Sequence, residues 1–163
     1  MQANPRIVFA VVFAACLALL GMGLYLQHVK GLEPCPMCIL QRVAFVSIGI
    51  VALAAAIHGP KALGLRIYSG LLVLFALAGA GVAMRHSYLQ RFPNPSSSCG
   101  VEMEFLLENF PLAQAIPKIF GGTGECSRVQ WRFLALSIPE WALVWFVVLA
   151  AVAVWIAFFR KVK

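Results

Sequence analysis

Apolar residues fall in four long blocks along this chain, roughly Ile7–Gln27, Ile39–Ile57, Ile67–Met84 and Ile138–Phe159. Each block approaches the ~20 residues with which an α-helix crosses a bilayer. Arg42 and Glu140 are the charges inside them, and each lies near the end of its block. Polar, Gly and Pro residues collect between the blocks. His58-Gly59-Pro60-Lys61 reads as a tight turn. The connection over residues 28–38 is short, and the one over 85–138 is long. Short connections make neighbouring helices antiparallel. The pattern predicts an all-α membrane protein, a single integral membrane domain over residues 1–163, folded as an antiparallel bundle of four transmembrane helices.

The long connection has a pattern of its own. Phe92-Pro93-Asn94-Pro95-Ser96-Ser97-Ser98 reads as a mobile segment. Val101–Phe120 mixes apolar residues with Glu102, Glu104, Glu108 and Lys118, and Pro111 and Pro117 interrupt it. Short helices lying in the interface are expected there, rather than a fifth span. Gly121-Gly122-Thr123-Gly124 is a turn leading into Cys126. Trp131, Trp141 and Trp145 cluster where the fourth block begins, the depth that aromatic rings favour.

Composition agrees with a membrane protein. The chain is 62% hydrophobic and 12% charged, against about 25% charged in soluble domains. A net charge of +7 raises the question of nucleic acid, and its distribution answers no. Arg6, Lys61, Arg66, Arg160, Lys161 and Lys163 share one side of the bundle with no acid, on short segments. All the Glu residues lie on the other side, with Lys30, Arg42, Arg85, Arg91, Lys118, Arg128 and Arg132. The positive-inside rule puts the acid-free segments, and both termini, in the cytoplasm. The first apolar run continues well past Cys16, longer than a cleaved signal, so a retained span is expected.

Of the cysteines, Cys35, Cys38, Cys99 and Cys126 face the outer side and Cys16 lies mid-membrane, where it reads as a packing residue. In an oxidising compartment an even set points to disulfides. The natural pairing is Cys35–Cys38, which closes a very small and therefore labile loop, with Cys99–Cys126. Pro36 suits the first turn of a helix. Cys35 is then near the N-cap and Cys38 in the first turn, where the helix dipole favours a thiolate. Arg42, at i+4 from Cys38, shares its helix face. A cation there calls for a polar partner, such as a thiolate or the carbonyl of a lipid-phase redox cofactor. Four-thiolate zinc binding is disfavoured, because zinc ribbons show two close pairs, so no metal is expected. Static disulfides in a membrane scaffold are the non-enzymatic alternative. His86, beside Arg85, is an interface anchor or a cofactor contact. Glu140 reads as the solvated start of the fourth span.

Taken together, these residues resemble the DsbB family of bacterial inner-membrane disulfide-forming oxidoreductases. The resemblance rests on Cys35-Pro36-Met37-Cys38-Ile39-Leu40-Gln41-Arg42, on Arg85-His86, and on Phe92-Pro93-Asn94-Pro95 before Cys99. It continues through Gly124-Glu125-Cys126, Gln130-Trp131, Phe133-Leu134 and Pro139-Glu140-Trp141. Gln41 departs from it, standing where an acidic residue is frequent. The resemblance implies that Cys99–Cys126 meets a reduced DsbA-like thioredoxin-fold partner in the periplasm. Cys99 would be attacked, Cys126 would attack Cys35, and Cys38 would be freed beside a bound ubiquinone or menaquinone that feeds the respiratory quinone pool. It implies Arg42 and Cys38 as quinone contacts, and His86 with them. A vitamin K epoxide reductase-like bundle also carries CxxC and loop cysteines. There, however, CxxC lies near the C-terminal end of the bundle, whereas here it precedes the second block.

Overall fold

The computed structural model describes residues 4–92, 124–127 and 129–159. Cys99, the Pro/Ser segment and the interfacial helices expected over 101–120 lie outside the described residues. The elements in chain order are α1 (Pro5–His28), α2 (Pro36–His58), α3 (Ala62–Arg91), α4 (Gly124–Ser127), β1 (Arg132–Phe133), β2 (Leu136–Ser137) and α5 (Ile138–Phe159). Helices α1, α2, α3 and α5 are each long and apolar enough to cross a membrane. The predicted spans and the four-helix architecture are therefore present. Helix α1 packs on α2, α2 on α3, and α3 on α5, while α4 packs against α3.

Local chemistry sets the helix ends. Asn4 caps α1, its side chain accepting from Arg6 N–H. Pro36 occupies the first turn of α2, and Cys35 is the N-cap. Gly59 ends α2 in the left-handed region at φ 62°, its N–H donating to Ala55 O, a conformation that a Cβ disfavours.

The core is a seam of aromatic and small residues. Phe9, Phe45, Ile48, Leu72, Phe146 and Ile156 are buried in it, with Ala52, Ala55, Ala76, Ala83 and Ala153 between them. Large apolar side chains such as Ile50, Leu63, Leu77, Val147 and Phe158 point outward, as a lipid-facing surface requires. Lipid leaves little hydrophobic drive between helices, so close van der Waals packing holds them together. Gly79 shows this most sharply. Phe146 stacks on Phe45 with centroids 4.1 Å apart and planes 10° from parallel. A Cβ at position 79 would overlap the Phe146 ring.

Three features differ from expectation. First, α3 runs to Arg91, beyond the predicted end of the third span at Met84. At 1.5 Å per residue its 30 residues extend ~45 Å, against a hydrocarbon core of ~30 Å. Hydropathy marks where the bilayer ends, not where the helix does. Second, β1 and β2 form an antiparallel hairpin, Arg132 opposite Ser137 and Phe133 opposite Leu136. Its turn residues Leu134 and Ala135 have φ of 49° and 67°. Such turns favour Asn-Gly, so the pair here gives no turn signal. Third, Glu140 is not a solvated residue. Its side chain is 16% exposed and pairs with Arg91 Nη2 at 2.6 Å. The Ser137 N–H and hydroxyl donate to its other oxygen at 2.8 and 3.1 Å, a capping-box arrangement that starts α5.

Substituting Gly79 by Ala forces the methyl against the Phe146 ring, and overpacking of this kind costs about 1–3 kcal/mol. Gly79→Ala is expected to lower the thermal unfolding midpoint in detergent, and Phe146→Leu in the same chain to restore part of it. An unchanged midpoint in Gly79→Ala would show that this seam is not rigid.

Candidate functional site

The first turn of α2 and the last turns of α3 bring sulfur and imidazole together. Cys35, Met37, Leu89 and Cys126 form a second buried cluster, separate from the main core. The open N-terminus of α2 gives Cys38 its place, with Cys38 N–H donating to Cys35 Sγ at 3.4 Å. Cys35 Sγ donates to Cys38 Sγ at 3.1 Å. On its other side Cys35 Sγ lies within 4.8 Å of Cys126 Sγ, which α4 delivers fully buried. The hydrogen bonds to Cys126 and then Cys38, followed by burial, push the Cys35 thiol well above its ordinary pKa.

The overhanging end of α3 supplies His86, 2% exposed. Its Nε2 lies 3.6 Å from Cys35 Sγ. Gln41 Nε2 donates to its Nδ1 at 3.2 Å. This bond leaves the ring proton on Nε2, directed at the sulfur. Gln41 is itself 4% exposed, so the amide and the imidazole pair in a dry place.

Arg42 points the other way, toward α1. Its Nη1 donates to Gln27 Oε1 at 2.6 Å and its Nη2 to Gly23 O at 3.0 Å. An added Cβ on Gly23 would meet Arg42 Nε at 3.4 Å, so the small residue makes room for the guanidinium. Arg42, Gln27, Gln41 and Cys38 all line one large cavity of about 390 Å³. Its remaining wall is mainly apolar and aromatic, with Phe45, Trp131, Phe133, Trp141 and Trp145. The hairpin holds part of that wall. Trp131 stacks on Phe133 at 5.8 Å and 7°, and Trp141 Nε1 donates to Phe133 O at 3.0 Å. A second cavity, about 20 Å³, is lined by Cys35, Cys38, His86 and Glu33 among others. Cys38 thus faces both cavities, and His86 lines the small one. The large cavity suits a flat, lipid-soluble ring: mainly apolar walls with few polar groups.

A chain of this geometry can pass a disulfide from one cysteine pair to another and discharge electrons at an apolar wall. The model of the family described as "Disulfide bond formation protein DsbB" matches residues 5–156. The chain belongs to the DsbB family. "Disulfide bond formation protein B" of Azoarcus sp. (strain BH72) is 51% identical over 160 residues, 98% of this chain and 96% of that one. Its counterpart in Aromatoleum aromaticum is 52% identical over 93% of this chain and 91% of its own. That of Stutzerimonas stutzeri is 41% identical over 94% of each. As a DsbB-family protein, the chain is a multi-pass membrane oxidoreductase that generates disulfide bonds.

The predicted residues Cys35, Cys38, Cys126, His86 and Arg42 converge within this region, and Cys99 lies outside the described residues. Two functional neighbours escaped the sequence reading. Gln27 holds Arg42, and its signal was a lone amide in the last turn of an apolar block. Gln41 holds His86, and its signal was a polar side chain directly before Arg42.

Gln27→Leu removes one acceptor of the Arg42 fork. A charged hydrogen bond is worth about 1.5–3 kcal/mol. The KM for the electron acceptor is expected to rise about tenfold or more, with a smaller change in kcat. Gln27→Glu keeps an acceptor and is expected to stay within about twofold of the parent. Equal KM values for all three chains would separate Gln27 from the positioning of Arg42.

Proposed function

We infer that the chain is a protein-thiol:quinone oxidoreductase. It re-oxidises a periplasmic DsbA-like thioredoxin-fold protein and delivers the electrons to ubiquinone or menaquinone. One observation carries this reading: the sulfurs are in sequence. Cys126 neighbours Cys35, Cys35 neighbours Cys38, and Cys38 is on the wall of the large apolar cavity.

In the oxidised protein the pairs are Cys99–Cys126 and Cys35–Cys38. A partner thiolate attacks Cys99 Sγ, and Cys126 leaves as a thiolate. Cys126 attacks Cys35 Sγ, the Cys35–Cys126 bond forms, and Cys38 leaves as a thiolate. The partner's second thiol then displaces Cys99, which attacks Cys126 and frees Cys35. His86 Nε2–H faces Cys35 Sγ and donates to it as it departs. The partner is now a disulfide, Cys99–Cys126 is restored, and two electrons rest on Cys35 and Cys38. A quinone bound in the large cavity supplies the sink, taking up two electrons and two protons. Arg42, oriented by Gln27 and Gly23, presents positive charge to that cavity, and Trp131, Trp141 and Trp145 keep water out of it. Loss of the electron pair closes Cys35–Cys38 again.

The energetics require such a sink. A DsbA-type partner is already strongly oxidising at about −120 mV, and ~30 mV is worth about 1.4 kcal/mol for two electrons. The cysteine-bearing connections face the periplasm and both termini the cytoplasm of the bacterial inner membrane. Supporting this orientation are the acid-free basic segments at Arg6, Lys61, Arg66 and Arg160.

The full chain in detergent, mixed with reduced partner and quinone, reports turnover as quinol formation. With Cys38→Ser, Cys99–Cys126 is expected to oxidise about one equivalent of partner. Steady turnover then falls at least about a hundredfold. Continued quinol formation by Cys38→Ser would remove the relay.

A further inference from the structure

The thiol relay uses three of these sulfurs in succession, but their neighbour His86 makes the reduced set a different kind of site. Cys35 Sγ, Cys126 Sγ and a His86 ring nitrogen all lie within 4.8 Å of one another, every residue buried. Donors bonded to one zinc ion at ~2.0–2.3 Å sit about 3.3–3.8 Å apart. The Cys35–His86 separation of 3.6 Å is already in that range. Cys38 Sγ, 3.1 Å from Cys35 Sγ, is a fourth donor at hand. The small cavity of about 20 Å³ lies against Cys35, Cys38 and His86, and one water-sized sphere occupies ~10–15 Å³.

We propose that the reduced relay is a zinc site, with Cys35, Cys126 and His86 as ligands, Cys38 closing the fourth position and the small cavity beside them. Sulfur and imidazole exclude oxygen-seeking cations. Charge then selects the divalent ion. Three thiolates and a neutral imidazole leave one net negative charge on a divalent ion, whereas a monovalent soft cation would leave two in a buried place, which is costlier. Gln41 completes the arrangement from behind. With its amide turned over, Oε1 accepts from His86 Nδ1–H and the Nε2 lone pair faces the metal, the usual support for a ligating histidine. The two ends of an amide are nearly isosteric. Binding replaces the thiol protons of Cys35, Cys38 and Cys126, which pass to solvent, and no electron moves. When Cys35 re-enters a disulfide, a thiolate is lost and the ion is released. Zinc therefore holds the protein only while electrons are backed up on the cysteines, and stops the relay there.

The site stands on its donor geometry, and turnover is a separate readout. Zn²⁺ binding to the full chain is measured by competition with a chromophoric chelator, after reduction with a phosphine and again after re-oxidation. One ion per chain is expected, bound at least about a hundredfold more tightly by the reduced protein. Cys126→Ser and His86→Ala are each expected to weaken it at least about tenfold, and Cys16→Ser to leave it unchanged. Cd²⁺ provides a second measurement through its ultraviolet thiolate charge-transfer band, which should lose intensity in Cys126→Ser. Circular dichroism checks that the variants remain folded. Equal affinity in both redox states, or full affinity and an unchanged band in folded Cys126→Ser, would overturn the site. Zinc binding without quinol formation in zinc-free assays would instead count against the relay alone.

Discussion

The contact between Cys35 and His86 is the constraint on which the outer end of the bundle depends. The residues are 51 positions apart, one at the first turn of α2 and the other near the last turn of α3. They meet because α3 continues as a helix beyond its apolar run. Leu89 and Met37 are buried beside them, so the overhang is anchored by apolar packing as well as by the imidazole. Cys126 then has a preformed pocket to enter, and α4 needs only to dock on α3. The opposite end of this dependence is Gly79. It lets α5 approach α3 closely enough for Phe146 to stack on Phe45. Arg91 and Glu140 tie the same two helices at the end where α3 finishes and α5 begins.

Cys38 divides two environments. On one side are Cys35 and His86, in a small space where Gln41 holds the imidazole. On the other is a cavity whose walls are mostly aromatic and aliphatic, and whose cation is fixed at one edge. The guanidinium does not fold back onto Cys38 by default. It is turned toward α1 by Gln27 and the Gly23 carbonyl, bonds that also satisfy a charge held inside a membrane helix. An Arg held in a fixed fork loses little freedom when a ligand arrives. The Cys38 sulfur therefore has surroundings that are already organised on both faces.

Much of this was legible in the sequence, and the exceptions have physical causes. The four spans follow from apolar length alone. Cys35 as N-cap follows from Pro36, whose missing N–H and fixed φ suit the first turn. Arg42 was legible as a charge needing a partner, but the partner was not. Gln27 is on another helix, and helix phase between α1 and α2 is set by packing, not by local pattern. The end of α3 was missed because Arg85 to Arg91 is polar enough to leave the bilayer yet contains no breaker. The hairpin was missed because Leu134-Ala135 occupies left-handed backbone without Gly or Asn. Glu140 looked solvated because its partners, Arg91 and Ser137, come together only when α5 docks on α3.

Gln41 was the residue that departed from the resemblance, and its surroundings explain why an amide works there. A carboxylate buried this deeply would carry a charge that the His86 ring would have to neutralise, fixing one protonation state of the pair. An amide is neutral in every state and has a donor at one end and an acceptor at the other. With the nitrogen toward Nδ1, His86 presents a proton to Cys35 and favours a sulfur that is leaving. With the oxygen toward Nδ1, the same ring presents a lone pair to whatever the sulfurs surround. Passing between these states takes a half-turn of the Gln41 amide and a shift of the His86 proton from one ring nitrogen to the other.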